Sequence, residues 1–235
     1  MRHLPYALPT AVALALLAGC GQSDSPLSNL AARAGAAAPA AHAAEPEGSC
    51  ACKESAAAKD DSRTPIDVSG AAVRGDPQAP VTIAVFSDYE CPFCVKAAGV
   101  LDELEAAYRG KVRIVQKERP MPFHANARLA AKAALAAGEQ GKYWEMHDRL
   151  LASRGALTRA DLERHARELG LDGARFRGSL DSAALDARID ADGRMADAAK
   201  IEGVPTTFIN GRRVVGAQPR EAFEAIVKEE LASGR

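Results

Sequence analysis

Cysteine, aromatic residues and net charge are all scarce in this sequence. Its 235 residues include five cysteines, one tryptophan and 5% aromatics, and the formal net charge is -1. Five thiols are too few to staple a chain of this length into a disulfide scaffold, so their spacing says more than their number. A near-zero charge gives no long-range pull towards nucleic acid, and no nucleic-acid partner is expected. No run of about twenty apolar residues follows the N-terminal segment, which excludes an internal membrane-spanning helix. No internal repeat is present. What remains, 47% hydrophobic and 26% charged, is an ordinary globular composition with enough apolar material for one core.

The N-terminus has the pattern of an export signal. Arg2 supplies a short positive start, and Ala11 to Ala18 form an apolar stretch too short to cross a bilayer. The segment closes on Leu17-Ala18-Gly19-Cys20, which resembles the lipobox of bacterial lipoprotein signals. That resemblance implies cleavage before Cys20 and lipid on its sulfur, with the membrane as a partner; each buried methylene of such an anchor contributes about 0.8 kcal/mol. The competing expectation is a plain secretory peptide cut after Ala41-His42-Ala43. Either route delivers the chain outside the reducing cytosol, on the periplasmic side, where a cysteine pair can cycle through a disulfide.

Residues 21–64 are rich in Ala, Ser, Pro and Gly and poor in large apolar side chains, the composition of a flexible tether. This tether carries Cys50-Ala51-Cys52. The pair reads in three ways: an auxiliary redox pair, a soft-metal site with His42, or incidental thiols.

A domain is expected over 65–235. Val81 to Phe86 is a nearly continuous apolar run typical of a buried strand. Val95, Ala98, Leu101, Leu104 and Tyr108 then recur at helical spacing on one expected inner face until Gly110. Val112 to Val115 reads as the next strand. Strand, helix and strand at these lengths make a βαβ unit with a parallel sheet, hence an α/β fold. A helical block follows at about 120–200, in which Thr158 and Asp161 form a capping pair. Strand character returns at Thr206 to Ile209; Asn210-Gly211 is a hairpin signal before Val214 and Val215. Phe223, Ile226, Val227 and Leu231 mark a last amphipathic helix.

The chemistry concentrates at Cys91-Pro92-Phe93-Cys94, where the buried strand ends and the helix begins. A helix start offers unpaired backbone N–H groups and the positive end of the dipole, both favouring negative charge on the first sulfur. Only a thiolate attacks a disulfide, so Cys91 suits attack, and Cys94, one turn inside, suits resolution of a mixed disulfide.

Four segments in order carry a resemblance to the DsbA-like branch of the thioredoxin superfamily: Phe86-Ser87-Asp88-Tyr89-Glu90-Cys91-Pro92-Phe93-Cys94, Pro122-Phe123-His124-Ala125-Asn126-Ala127, Gln140-Gly141-Lys142-Tyr143-Trp144-Glu145-Met146-His147, and Gly203-Val204-Pro205-Thr206-Thr207-Phe208-Ile209-Asn210-Gly211. The resemblance covers about Asp76 to Leu231. It implies a thioredoxin fold with an inserted helical domain, and thiol–disulfide exchange without a cofactor. It also implies that Cys91 is the nucleophile, Cys94 the resolving thiol and Pro205 a cis-proline facing them. Substrate would contact Pro92, Phe93 and the Val204 backbone, by strand addition at the last. The partners implied are exported proteins with thiols or disulfides, and a redox protein that resets the pair.

One position departs from the family pattern. Many relatives hold a buried acid six residues before the first cysteine, where Val85 stands here. Asp88 and Glu90 are expected at the wetter end of the strand, leaving proton handling to water or to these carboxylates. Phe93 offers no hydrogen-bond donor to a thiolate. A zinc site formed by Cys91 and Cys94 with Cys50 and Cys52 fits poorly, because zinc knuckles place their pairs on turns, and no metal is assigned. The competing function is a thiol-based copper-binding lipoprotein or metallochaperone on the same scaffold. His124, His147 and His165 read as structural.

Overall fold

The computed structural model describes residues 62–234. Five strands form one sheet in the order β1-β3-β2-β4-β5: β1 (Val73–Gly75), β2 (Val81–Ser87), β3 (Val112–Glu118), β4 (Thr206–Ile209) and β5 (Arg212–Val215). Only β2 and β3 run parallel, through the crossover helix α1 (Pro92–Ala107). The other three pairings are antiparallel, so the sheet is mixed where the βαβ pattern alone suggested a parallel one. The three-residue edge strand β1 ends on Gly75, whose φ of +92° and close approach to the Val112 carbonyl leave no room for a Cβ.

Between β3 and β4 lie five helices: α2 (Ala127–Gly138), α3 (Tyr143–Ala152), α4 (Arg159–Glu168), α5 (Gly173–Leu180) and α6 (Ala183–Ala198). The C-terminal helix α7 (Arg220–Ser233) returns to the sheet. Among the described residues, no helix is long and apolar enough to cross a membrane.

Alternation along β2 divides the core. Val81, Ile83 and Val85 join Leu101 and Leu104 of α1 and Phe223 and Val227 of α7 on one face. Ala84 and Phe86 join Phe208 and the end of α6 on the other. Burial of a leucine or phenylalanine here contributes about 1.5–3 kcal/mol, so these faces fix which end of β2 carries the thiols. A separate cluster fills the helical block around α2, whose small side chains admit α3, α5 and α6 on several sides.

Two local readings need correction. Val95 was expected on the inner face of α1 but is 41% exposed, and Cys94, Ala97, Leu101 and Leu104 line that face instead. Strand β3 also runs past Val115 through Gln116, Lys117 and Glu118, all buried. Polar residues ended the apolar run in sequence, yet Asp192 of α6 accepts from Lys117 Nζ and the Glu118 N–H, which gives those two buried donors a partner. The capping pair is present as a full capping box at Thr158 and Asp161. Asn210 and Gly211 have φ of 46° and 87°, the two positive values a type I′ hairpin turn requires.

Candidate active site

Strand β2 delivers the chain to Tyr89 and Glu90, and α1 starts immediately beyond. Cys91 is the N-cap of α1, with extended backbone (φ −79°, ψ 117°) and Pro92 at the first helical position. Proline belongs there because that position needs no N–H partner and its φ is already helical. The Cys91 carbonyl accepts from the N–H groups of Cys94 at 3.0 Å and Val95 at 3.3 Å, closing the first turn. Both cysteines are free thiols.

The two sulfurs occupy unequal settings. Cys91 is itself 7% exposed, flanked by exposed Pro92 and by Phe93, 58% exposed. Cys94 is 1% exposed, and burial pushes its thiol up to about 12. A hydrogen bond from the Ser87 hydroxyl and one from the Asp88 N–H, at 3.4 Å, offset part of that rise, and the neighbouring Cys91 adds to it.

Across from the cysteines, the Val204–Pro205 peptide bond is cis. The Cys91 thiol donates to the Val204 carbonyl at 3.7 Å, so the fold brings together Cys91, Cys94, Val204 and Pro205. The Pro205 carbonyl accepts from the Gly216 N–H at 2.8 Å, which ties this loop to the end of β5. Cys20, Cys50 and Cys52 lie outside the described residues.

Asp88 is not at a wet strand end, as its position in sequence suggested: its side chain is fully buried. One carboxylate oxygen accepts from the Met121 N–H at 2.7 Å and bonds His124 Nδ1 at 2.8 Å, while the other accepts from the Glu90 N–H at 2.7 Å. Glu90, half-buried, accepts from the backbone N–H and the side-chain amide of Asn126. Residues 119–126 are thereby pinned to the cysteine loop. They carry Phe123, whose ring is 73% exposed. Sequence reasoning did not single out Phe123; the Phe-His step in its quoted segment was the available signal.

A buried polar cluster lies behind Cys94. Tyr143 donates to Glu118 Oε1 at 2.6 Å, Tyr89 Oη is 3.5 Å from the same oxygen, and Tyr89 Oη is 3.0 Å from His147 Nδ1. Burial, with Asp192 adding, pushes the Glu118 carboxyl up to about 8. Burial, with Arg74 adding, drives His147 down to about 3. Among the described residues, no group of three or more His, Cys, Asp or Glu is placed to hold a metal ion.

The thioredoxin family model matches residues 67–229. The chain belongs to this family. A solved thioredoxin-like oxidoreductase from Silicibacter pomeroyi is 31% identical, with 68% of this chain and 91% of that one covered and a TM-score of 0.63. The thiol-disulfide exchange protein alpha-DsbA2 of Wolbachia pipientis, at 22% identity, has the same fold: coverage is 68% and 86%, with a TM-score of 0.62. The DsbA-like thioredoxin fold expected from the four motifs is the fold observed. A curated relative from Salinispora tropica, Na(+)/H(+) antiporter NhaA 3, is 43% identical over 176 residues, which is 74% of this chain and 27% of that protein. The chain thus spans about a quarter of the curated relatives it matches, and most of the antiporter's length has no counterpart in the match.

Proposed function

We propose that this thioredoxin-family protein is an extracytoplasmic thiol–disulfide oxidoreductase in which Cys91 attacks and Cys94 resolves. The observation that carries the proposal is the inequality of the two thiols. Cys91 caps a helix beside exposed Pro92 and Phe93 and the Val204 carbonyl and is 7% exposed, whereas Cys94, one turn inside, is 1% exposed. The first sulfur, at a helix start between exposed neighbours, is the one a protein disulfide can reach, and the interior one can reach only the sulfur beside it. The oxidoreductase from Silicibacter pomeroyi, similar over most of its length, supports the same reaction class.

Attack by the Cys91 thiolate on a substrate disulfide forms a mixed disulfide and releases one substrate thiol. Attack by Cys94 on Cys91 then releases the second and leaves the Cys91–Cys94 disulfide. Run backwards, the same steps oxidise a dithiol. The direction follows from the potential of the pair relative to its partner, about 30 mV per 1.4 kcal/mol. The clients are exported proteins, an extended segment of which pairs with the Val204 backbone and rests on Pro92 and Phe93, and a second redox protein resets the pair. Lipid on Cys20 holds the molecule at a membrane, so Cys20→Ala is expected to move it to the soluble fraction.

The deciding measurement equilibrates the full chain with glutathione buffers, maps the Cys91–Cys94 disulfide by mass spectrometry, and follows turnover of a disulfide-containing protein. A reversible two-electron couple with turnover supports the proposal. Failure to form that disulfide at any poise rejects it.

A further inference from the structure

The resolving thiol presents a problem that the reaction must solve. Burial holds the Cys94 thiol near 12, so it needs a proton acceptor, and the position that supplies one in many relatives is apolar Val85. We propose that Glu118 stores the Cys94 proton, passed to it through His147 and Tyr89. This inference rests on the oxidoreductase reading above and assigns its proton path.

Cys94 and His147 line one small cavity, together with Val85, Gln116, Trp144 and Asp102. Its volume is about 10 Å³, close to the minimum for a single water. Gln116 Nε2 and Trp144 Nε1, both buried, have no hydrogen-bond partner among the described residues, and a water in the cavity would give them one. From His147 the path is continuous: Nδ1 is 3.0 Å from Tyr89 Oη, and Tyr89 Oη is 3.5 Å from Glu118 Oε1. Tyr143 donates to that same oxygen and fixes the carboxylate. Glu118 also lines a second cavity, of about 170 Å³, with Lys117, Asp192 and Arg188, where water can exchange the stored proton.

The members have the acidities such a path needs. His147, held near 3, does not retain a proton but can pass one between its two nitrogens. Glu118, held near 8, is mostly protonated at neutral pH; its ionised fraction, which grows as pH rises towards 8, takes the proton and returns it later. Charged groups bear on each member: Asp192 and Arg188 of α6 on Glu118, and Arg74 of β1 on His147. Asp102 of α1 also lines the Cys94 cavity; burial raises its carboxyl, and its ion pair with Arg74 offsets part of that rise.

With a substrate sulfur bonded to Cys91, the step balances as follows. The Cys94 proton moves through the water to His147 Nε2, the Nδ1 proton moves to the Tyr89 oxygen, and the Tyr89 hydroxyl proton moves to Glu118. The Cys94 thiolate attacks Cys91 Sγ and the Cys91–Cys94 bond forms. The bond from Cys91 to the substrate sulfur breaks, and its electron pair leaves on the substrate thiolate, which takes a proton from solvent. The cysteine pair is oxidised and the substrate sulfur reduced. When a substrate thiolate opens the Cys91–Cys94 disulfide, the same path runs in reverse and Glu118 returns the proton to Cys94.

The test uses the full chain carrying Cys50→Ser and Cys52→Ser, reduced and mixed in a stopped-flow instrument with an aromatic disulfide whose thiol product is coloured. Attack by Cys91 releases one equivalent, and resolution by Cys94 releases the second. The second rate is expected to rise with pH and to level off near 8. In Glu118→Gln and in Tyr89→Phe the plateau disappears, and at pH 8 the ratio of second to first rate falls at least about tenfold. Tyr89→Phe keeps the ring and the carboxylate, so it answers the question even if Glu118→Gln folds poorly. An unchanged ratio and profile in both variants overturns the relay, as does loss of the plateau in Asp102→Asn instead. Absence of any second release from the parent chain rejects the exchange reading itself, a result distinct from failure of the relay.

Discussion

Cys91 Sγ lies 3.7 Å from the carbonyl oxygen of Val204, although 113 positions separate the two residues. The contact joins the N-cap of α1 to the loop before β4, and the antiparallel β2–β4 ladder holds the Cys91 sulfur and the Val204 backbone as one unit.

The two thiols should fail differently when replaced. Cys91→Ser is expected to abolish exchange at least about a thousandfold, because removing a nucleophile removes the covalent path. Cys94→Ser should keep attack but stop resolution, so mixed disulfides with clients accumulate. Non-reducing electrophoresis with peptide mapping reads both results; accumulation in the Cys91 variant instead would reverse the assignment.

Asp88 should matter to stability. Its buried carboxylate partners the Met121 N–H, the Glu90 N–H and His124. Asp88→Ala leaves these groups unpaired, and about 2–4 kcal/mol of stability should be lost, since each buried unsatisfied group costs about 1–3 kcal/mol. His124→Ala should cost less, because that ring is partly exposed. Chemical denaturation with equal m-values would establish the difference.

The buried acid and the buried imidazole give opposite pH dependences. Glu118 has a folded pKa raised from 4.5 to about 8, so its contribution is full below 4.5 and is lost as pH rises towards 8. His147 is depressed from 6.5 to about 3, so its contribution is full above 6.5 and is lost as pH falls towards 3. Between roughly 4.5 and 6.5 the two slopes offset each other; above 6.5 only the loss from Glu118 remains, at most about 1.4 kcal/mol per pH unit. Unfolding free energy should therefore decline from pH 6.5 to 8, and Glu118→Gln should flatten that decline. A parallel decline in the variant would contradict the assignment.

Phe93 and Phe123 should affect clients and not the fold. Both rings are exposed, so Phe93→Ala and Phe123→Ala should change stability by less than about 0.5 kcal/mol. Each is expected to raise KM for a protein client several-fold and leave exchange with a small aromatic disulfide unchanged. Equal losses with both substrates would place the effect at the thiols.

For the upstream pair, Cys50→Ser/Cys52→Ser should slow turnover with a protein client. A Cys94→Ser trap that also carries Cys50→Ser should show a Cys91–Cys52 linkage on peptide mapping. The eleven positions from Cys52 to Arg63 (63 − 52 = 11) can span at most about 40 Å. Absence of the linkage together with unchanged turnover would leave these thiols to metal or to no role.

The sequence revealed the elements whose pattern was local. The apolar run of β2, the capping box of α4 and the Asn210–Gly211 turn each depend on neighbours within a few positions. What it hid was set at a distance. Asp88 looked solvent-facing because its partners come from residues 121 and 124. Gln116 to Glu118 fell outside the expected strand because Asp192, which partners Lys117 and the Glu118 backbone, lies on α6. The three-residue β1 is too short to show a period. The meeting of Cys91 with Val204 was legible only through motif resemblance, since spacing cannot report a contact across 113 positions.

Arg63 grips Glu230 with both terminal nitrogens and donates to the Asn210 carbonyl, while the Thr64 N–H donates to the Gly211 carbonyl. These contacts fasten the start of the described chain at the β4–β5 turn. Pro205 and the thiols lie at the other end of β4, about 13 Å along the strand. A pull exerted through residue 63 therefore loads the hairpin end of the sheet and bypasses the cysteine loop.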